Sequence, residues 1–139
     1  SSDVCSSDLR HTIHVQAYTF TYRKFAVALA DAQRRGVAVT VIADREQTLR
    51  QPTSVVADIA AARVQVYLDG QHEAAHNKVM VVDAGQPDCA VVTGSYNFSF
   101  AAQHRNAENL LVLRGDPALC ERYRRNWDVH RAHSLPYRR

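Results

Sequence analysis

His76-Asn77-Lys78-Val79-Met80-Val81-Val82-Asp83, followed by Ala90-Val91-Val92-Thr93-Gly94-Ser95-Tyr96-Asn97, are the segments on which the reading of this 139-residue chain turns. Each is a short apolar run bounded by polar residues: His76 and Lys78 precede the first, and Gly94, Ser95 and Asn97 end the second. Apolar, β-branched runs of this length are what buried strands use. Two adjacent strands of this kind would deliver both polar groups to one end of a sheet. Lys78 follows His76 by two positions, and alternate residues of an extended segment leave from the same face, so both can address one ligand.

Working outward, Ile13, Val15 and Ala17 alternate as a strand, and Phe25, Ala28, Leu29 and Ala32 fall at helical spacing up to Gly36, which suits the left-handed position beyond a helix end. Residues 37–43 are almost continuously apolar, as in a strand covered by helices on both faces. The polar stretch after Asp44, up to Thr53 and including Gln51-Pro52, reads as a loop. A helix over residues 54–62, a strand over 64–68 and a loop over 69–75 follow. Asp116-Pro117 then caps a last helix whose Leu119, Tyr123 and Trp127 repeat every four residues, a stripe suited to core packing. The order predicts an α/β fold: a mixed, largely parallel central sheet flanked by helices on both faces.

Composition fits one soluble domain, with 46% hydrophobic residues and no apolar run of membrane-spanning length. The formal net charge is +3, but the positive excess lies after residue 120, where Arg122, Arg124, Arg125, Arg131, Arg138 and Arg139 face only Glu121 and Asp128. Such a cluster is either a phosphate-binding patch or a solvated helix face. Cys5, Cys89 and Cys120 form no C-x-x-C pair, and His130-x-x-His133 alone is a weak ligand pair, so no metal site is expected. His72 is near enough to the motif in sequence to meet a substrate.

The pattern H-x-K-x4-D followed by G-S-x-N resembles the HKD signature of the phospholipase D superfamily, and the chain is similar to its small single-motif bacterial endonucleases. Arg105-Asn106-Ala107-Glu108-Asn109, ahead of the apolar residues 110–113, resembles the family's glutamate-bearing strand. The resemblance covers roughly residues 11–130. It implies a metal-independent phosphodiesterase without a cofactor, in which His76 attacks phosphorus to give a phosphohistidine that water then releases. Glu108 would hold the imidazole in the reactive tautomer. Lys78, Asn97 and Ser95 would bind the phosphate, their donors aimed at developing charge. Asp83, also in the candidate set, matches an aspartate that in the family is usually structural.

One motif is half of an active site, because the departing oxygen needs a general acid. In the superfamily, long chains contain two motifs and short ones dimerise, so the resemblance implies a homodimer with a composite site. The leading reading is an endonuclease hydrolysing DNA or RNA. The alternatives are a phospholipase D or cardiolipin hydrolase acting on phospholipid, and a catalytically silent dimeric nucleic-acid-binding module. Residues 1–10, which contain Ser-Ser-Asp twice, read as a foreign or artefactual leader, and residues 11–139 as the phospholipase D-like domain. Family members of this size have a further strand and helix before Thr12, so the chain reads as a truncated bacterial protein. It is periplasmic or secreted if a signal peptide has been lost, and cytoplasmic otherwise.

Overall fold

The computed structural model describes residues 11–71, 77–94 and 109–138. In chain order the elements are β1 (Thr12–Ala17), α1 (Arg23–Arg34), β2 (Ala38–Asp44), α2 (Arg45–Arg50), α3 (Val56–Ala61), β3 (Gln65–Asp69), β4 (Lys78–Val82), β5 (Ala90–Gly94), β6 (Leu110–Arg114), α4 (Pro117–His133) and β7 (Leu135–Pro136). The strands form one seven-stranded sheet in the order β6-β5-β4-β1-β2-β3-β7.

Alternation along the strands divides the core in two. Ile13, Val15, Ala17, Val39, Val41, Met80, Val82 and Val92 join the buried residues of α1 and α3 in one cluster. Val79, Val81, Cys89 and Val91 meet Cys120 of α4 on the opposite face. Helices therefore cover both faces, and all five residues of β4 are buried, which explains the apolar run from Val79 to Val82. The aromatic stripe of α4 packs as expected: Trp127 is buried and its Nε1 donates to the Val15 carbonyl at 3.1 Å.

Two expectations need correction. The sheet is mixed but not largely parallel, since β1–β2 and β2–β3 are parallel while β1–β4, β4–β5, β5–β6 and β3–β7 are antiparallel. For β4–β5 the cause is loop length: a parallel crossover needs roughly a dozen residues or more, and the link from Val82 to Ala90 is too short for one. The polar stretch after Asp44 is also not a simple loop. Asp44 accepts from the Gln47 N–H at 2.9 Å and caps α2, while Thr48 Oγ1 donates back to the Asp44 carbonyl at 2.7 Å. A capped helix with no buried residue, polar apart from the exposed Leu49, reads as a loop.

Candidate active site

The strand ends meet along one edge of the sheet. Ala17 pairs with Lys78, Val79 with Thr93, and Gly94 with Leu110. The start of β4, the end of β5 and the start of β6 are therefore neighbours, as are the described residues Asn77, Gly94 and Asn109 that border the rest of the motif. His76, Ser95, Asn97 and Glu108 lie outside the described residues, as does His72. What the structure places directly is Lys78 and the backbone on either side of the motif.

Lys78 is only 8% exposed. By alternation with Met80 and Val82 it leaves on the face covered by α1 and α3. Its Nζ lies 5.5 Å from the centroid of the Tyr18 ring, within cation–π range, and the Tyr18 hydroxyl accepts from Gln47 Nε2 at 3.2 Å. Tyr18 thus supports the lysine from the end of β1, and α2 in turn supports Tyr18. Sequence reading missed this residue, because nothing in the spacing links a tyrosine after β1 to a lysine in β4.

Gly94 explains why the second half of the motif begins with glycine. Its φ is 143°, and a Cβ built there would stand 2.2 Å from the Asn109 carbonyl oxygen. Any side chain would push β6 away from β5 at the edge where the motif residues converge.

Asp83 is at the other end of β4. It lies five positions along the chain from Lys78, about 16 Å at the usual rise. Its carboxylate accepts from the backbone N–H groups of His11 and Thr12 at 3.0 and 3.1 Å, and its own N–H donates to the Thr12 carbonyl at 2.8 Å. Asp83 fastens β4 to the start of β1 and belongs with the anchoring residues rather than with the reacting group.

This geometry can be set beside known proteins. Residues 7–130 match the family described as cardiolipin synthase, PLD-like domain. The chain belongs to that family. A protein named phospholipase D from Rickettsia bellii (strain RML369-C) is 39% identical over 118 residues, covering 85% of this chain and 56% of the relative. A mitochondrial cardiolipin hydrolase from Xenopus laevis is 29% identical over 119 residues, covering 86% of this chain and 54% of the relative. The chain thus spans just over half the length of these curated relatives. Among solved structures, Nuc from Salmonella typhimurium, described as a phospholipase D family member, aligns with a TM-score of 0.89 and 30% identity, covering 99% of this chain and 88% of that one.

Around the PLD-like core, two further features went unseen in the sequence. Cys89, just before β5, forms a disulfide with Cys120 of α4, a partner 31 residues away. Asp69, fully buried at the end of β3, places Oδ2 3.0 Å from both His130 Nδ1 and His133 Nε2. Burial pushes the Asp69 carboxyl up, but hydrogen bonds from His133 and His130 and from the Gln71 N–H outweigh it and hold the group at about 2. Read from sequence, His130 and His133 are a weak pair; β3 supplies the carboxylate that joins them.

Part of the basic carboxyl end is engaged with its own protein. Arg124 bonds Glu121 at 2.8 Å and Asp128 at 2.6 Å, and Arg125 bonds Glu121 at 3.3 Å. Arg131 lies 3.6 Å from the centroid of the Tyr67 ring. Three of the six arginines therefore have partners within the fold.

Proposed function

We propose that this PLD-like domain is a phosphodiesterase that needs no metal for the chemical step and cleaves nucleic acid through a phosphohistidine on His76. The observation that carries the reading is Lys78. It is a buried cation at the head of β4, held over an aromatic ring at the edge where β4, β5 and β6 begin or end. A desolvated cation in such a position favours a phosphate over a neutral ligand and neutralises charge that builds on phosphoryl oxygens during displacement. His76, two residues earlier in sequence, is the nucleophile, Glu108 its orienting carboxylate, and Asn97 and Ser95 the further phosphate donors. With one motif in this sequence, a second subunit is the source we infer for the general acid. The Cys89–Cys120 disulfide supports placing the working enzyme in an oxidising compartment, the periplasm or the cell exterior.

A second reading has its own support. Relatives named phospholipase D and mitochondrial cardiolipin hydrolase point to a lipid phosphodiester as substrate for the same chemistry. Among the described residues no helix is long and apolar enough to cross a membrane.

The experiment is a side-by-side assay of single-stranded DNA, duplex DNA, RNA and phospholipid vesicles in excess chelator. Cleavage of nucleic acid, abolished by His76→Ala, is the expected result. Hydrolysis of lipid alone would establish the second reading, and strict dependence on an added divalent ion would overturn the proposed chemistry. Co-expressing wild-type and His76→Ala chains tests the shared site: activity should follow the square of the wild-type fraction, whereas a complete site in each chain gives a straight line.

A further inference from the structure

His130 and His133 stand at i and i+3 in the last turn of α4, so both rings leave from one side of the helix. Asp69 ends β3 beneath them, and one ligand atom from each of the three residues lies within 4.8 Å of the others. Ligands bound to one tetrahedral zinc at about 2.0–2.1 Å stand about 3.3 Å apart, and Asp69 Oδ2 is already 3.0 Å from each ring nitrogen. A cation can therefore take the place of the shared protons after small side-chain rotations.

We propose that Asp69, His130 and His133 form a binding site for a divalent cation of the zinc class, which fastens the carboxyl end of α4 and the strand after it onto β3.

Two imidazoles and one carboxylate form a donor set that zinc accepts, leaving a fourth position for water. That position can face solvent, because the side chains of His130 and His133 are 16% and 24% exposed while that of Asp69 is 0% exposed. An entry path adjoins the cluster: an open cleft of about 680 Å³ lined by His133, Gly70, Gln71, Leu135, Arg45 and Arg138. The surroundings tie three elements together. Leu68 pairs with Leu135, the Tyr137 N–H donates to the Val66 carbonyl at 2.8 Å, and Ser134 Oγ donates to the His130 carbonyl at 2.7 Å. A cation here joins β3, α4 and β7 at a point where β7 itself has only two residues.

The cluster lies apart from Lys78. Asp69 shares its face with Tyr67, which stacks on Arg131 of α4, whereas Lys78 leaves on the face of α1 and α3. Between β3 and β4 lie three strand spacings, about 14 Å. The cation is structural and takes no part in phosphoryl transfer.

The test begins with the full chain stripped by chelator, dialysed and titrated with zinc chloride alone. One equivalent of zinc per chain should bind, and the melting temperature should rise by about 5–10 °C at a zinc concentration about a hundred times the dissociation constant. Cobalt(II) in place of zinc should give the visible absorption of a tetrahedral site. His133→Gln and His130→Gln should lose the stoichiometric metal and the thermal shift, while His76→Ala keeps both. Retention of zinc by the two glutamine variants would overturn the assignment. So would a wild-type chain that binds no stoichiometric zinc or cobalt, which would leave the cluster a hydrogen-bonded latch; because wild type alone decides this, misfolded variants do not blunt the test. The cleavage rate at 25 °C should be equal with and without zinc, so this proposal and the metal-independent chemistry stand or fall separately.

Discussion

The two ends of the central sheet hold one buried charge each from the same eight-residue motif, and they use it differently. At one end Lys78 is supported by an aromatic ring, beside a glycine that no other residue can replace. At the other, Asp83 is satisfied by two backbone N–H groups, and the nearby Cys89 is bonded covalently to α4. A buried charge with its hydrogen bonds made is an anchor. A buried cation over a ring at a strand end favours an anion beside it. The sheet thus separates reaction from stability by the length of one strand, and substitutions at the two ends should separate activity from stability in the same way.

The largest effect is expected at the reacting end. Lys78→Met should lower kcat/KM by about 100- to 1,000-fold, the usual loss when one donor to transition-state charge is removed. Its melting temperature should stay within a few degrees of wild type, because an apolar side chain of similar length fills the same buried site. Steady-state kinetics in chelator together with thermal melts check this, and a folded variant of full activity would remove Lys78 from the site.

At the anchoring end the pattern should reverse. Replacing both Cys89 and Cys120 by Ala, or reducing the bond, should cost about 2–4 kcal/mol in denaturant unfolding, since the cross-link closes a 31-residue separation. Asp83→Ala should cost less, about 1–3 kcal/mol, by leaving the N–H groups of His11 and Thr12 without their acceptor. Asp83→Asn should recover part of that, because it retains one acceptor oxygen and tolerates the left-handed φ of 52° found there. In all three proteins the rate per folded molecule should match wild type at 25 °C. A rate loss comparable to that of Lys78→Met would mean the two ends are not separate.

How much of this was legible in sequence follows from the range of each interaction. β4 and β5 could be read because burial on both faces writes continuous apolar runs, and their polar flanks showed which end they share. The direction of neighbouring strands was misjudged because apolar content records burial and not chain sense, which the short β4–β5 link sets. α2 was hidden because a helix lying on solvent has no apolar stripe to display. Asp69 with His130 and His133, and Cys89 with Cys120, join residues 61 or more and 31 positions apart, and no local spacing reports them. Tyr18 beneath Lys78 was missed for the same reason. His76, Ser95, Asn97 and Glu108 were named from the motif, and their roles rest on the experiments proposed above.

The smallest effect sharpens the comparison from within the anchoring face. His14 faces α4 from β1, with its ring edge-on to Trp127 at 4.7 Å. Its Nδ1 is buried and has no hydrogen-bond partner. Across the sheet it adjoins Thr40 and Val81, which are uncharged, and from α4 it meets Asp128 and Arg124. Burial is the main influence and lowers the pKa of His14 below 6.5; Asp128 opposes that shift and Arg124 adds to it. The folded state therefore holds its proton less tightly than the unfolded chain does. The contribution of His14 is fully present above pH 6.5 and is lost as the pH falls from there toward its lower folded value. His14→Phe keeps the contact with Trp127 and removes the titration. Melting temperatures measured from pH 8 to pH 5 should fall more steeply for wild type than for this variant below about 6.5. Parallel curves would show that His14 is solvated well enough to charge in place, and that the α4 face tolerates a proton there without loosening.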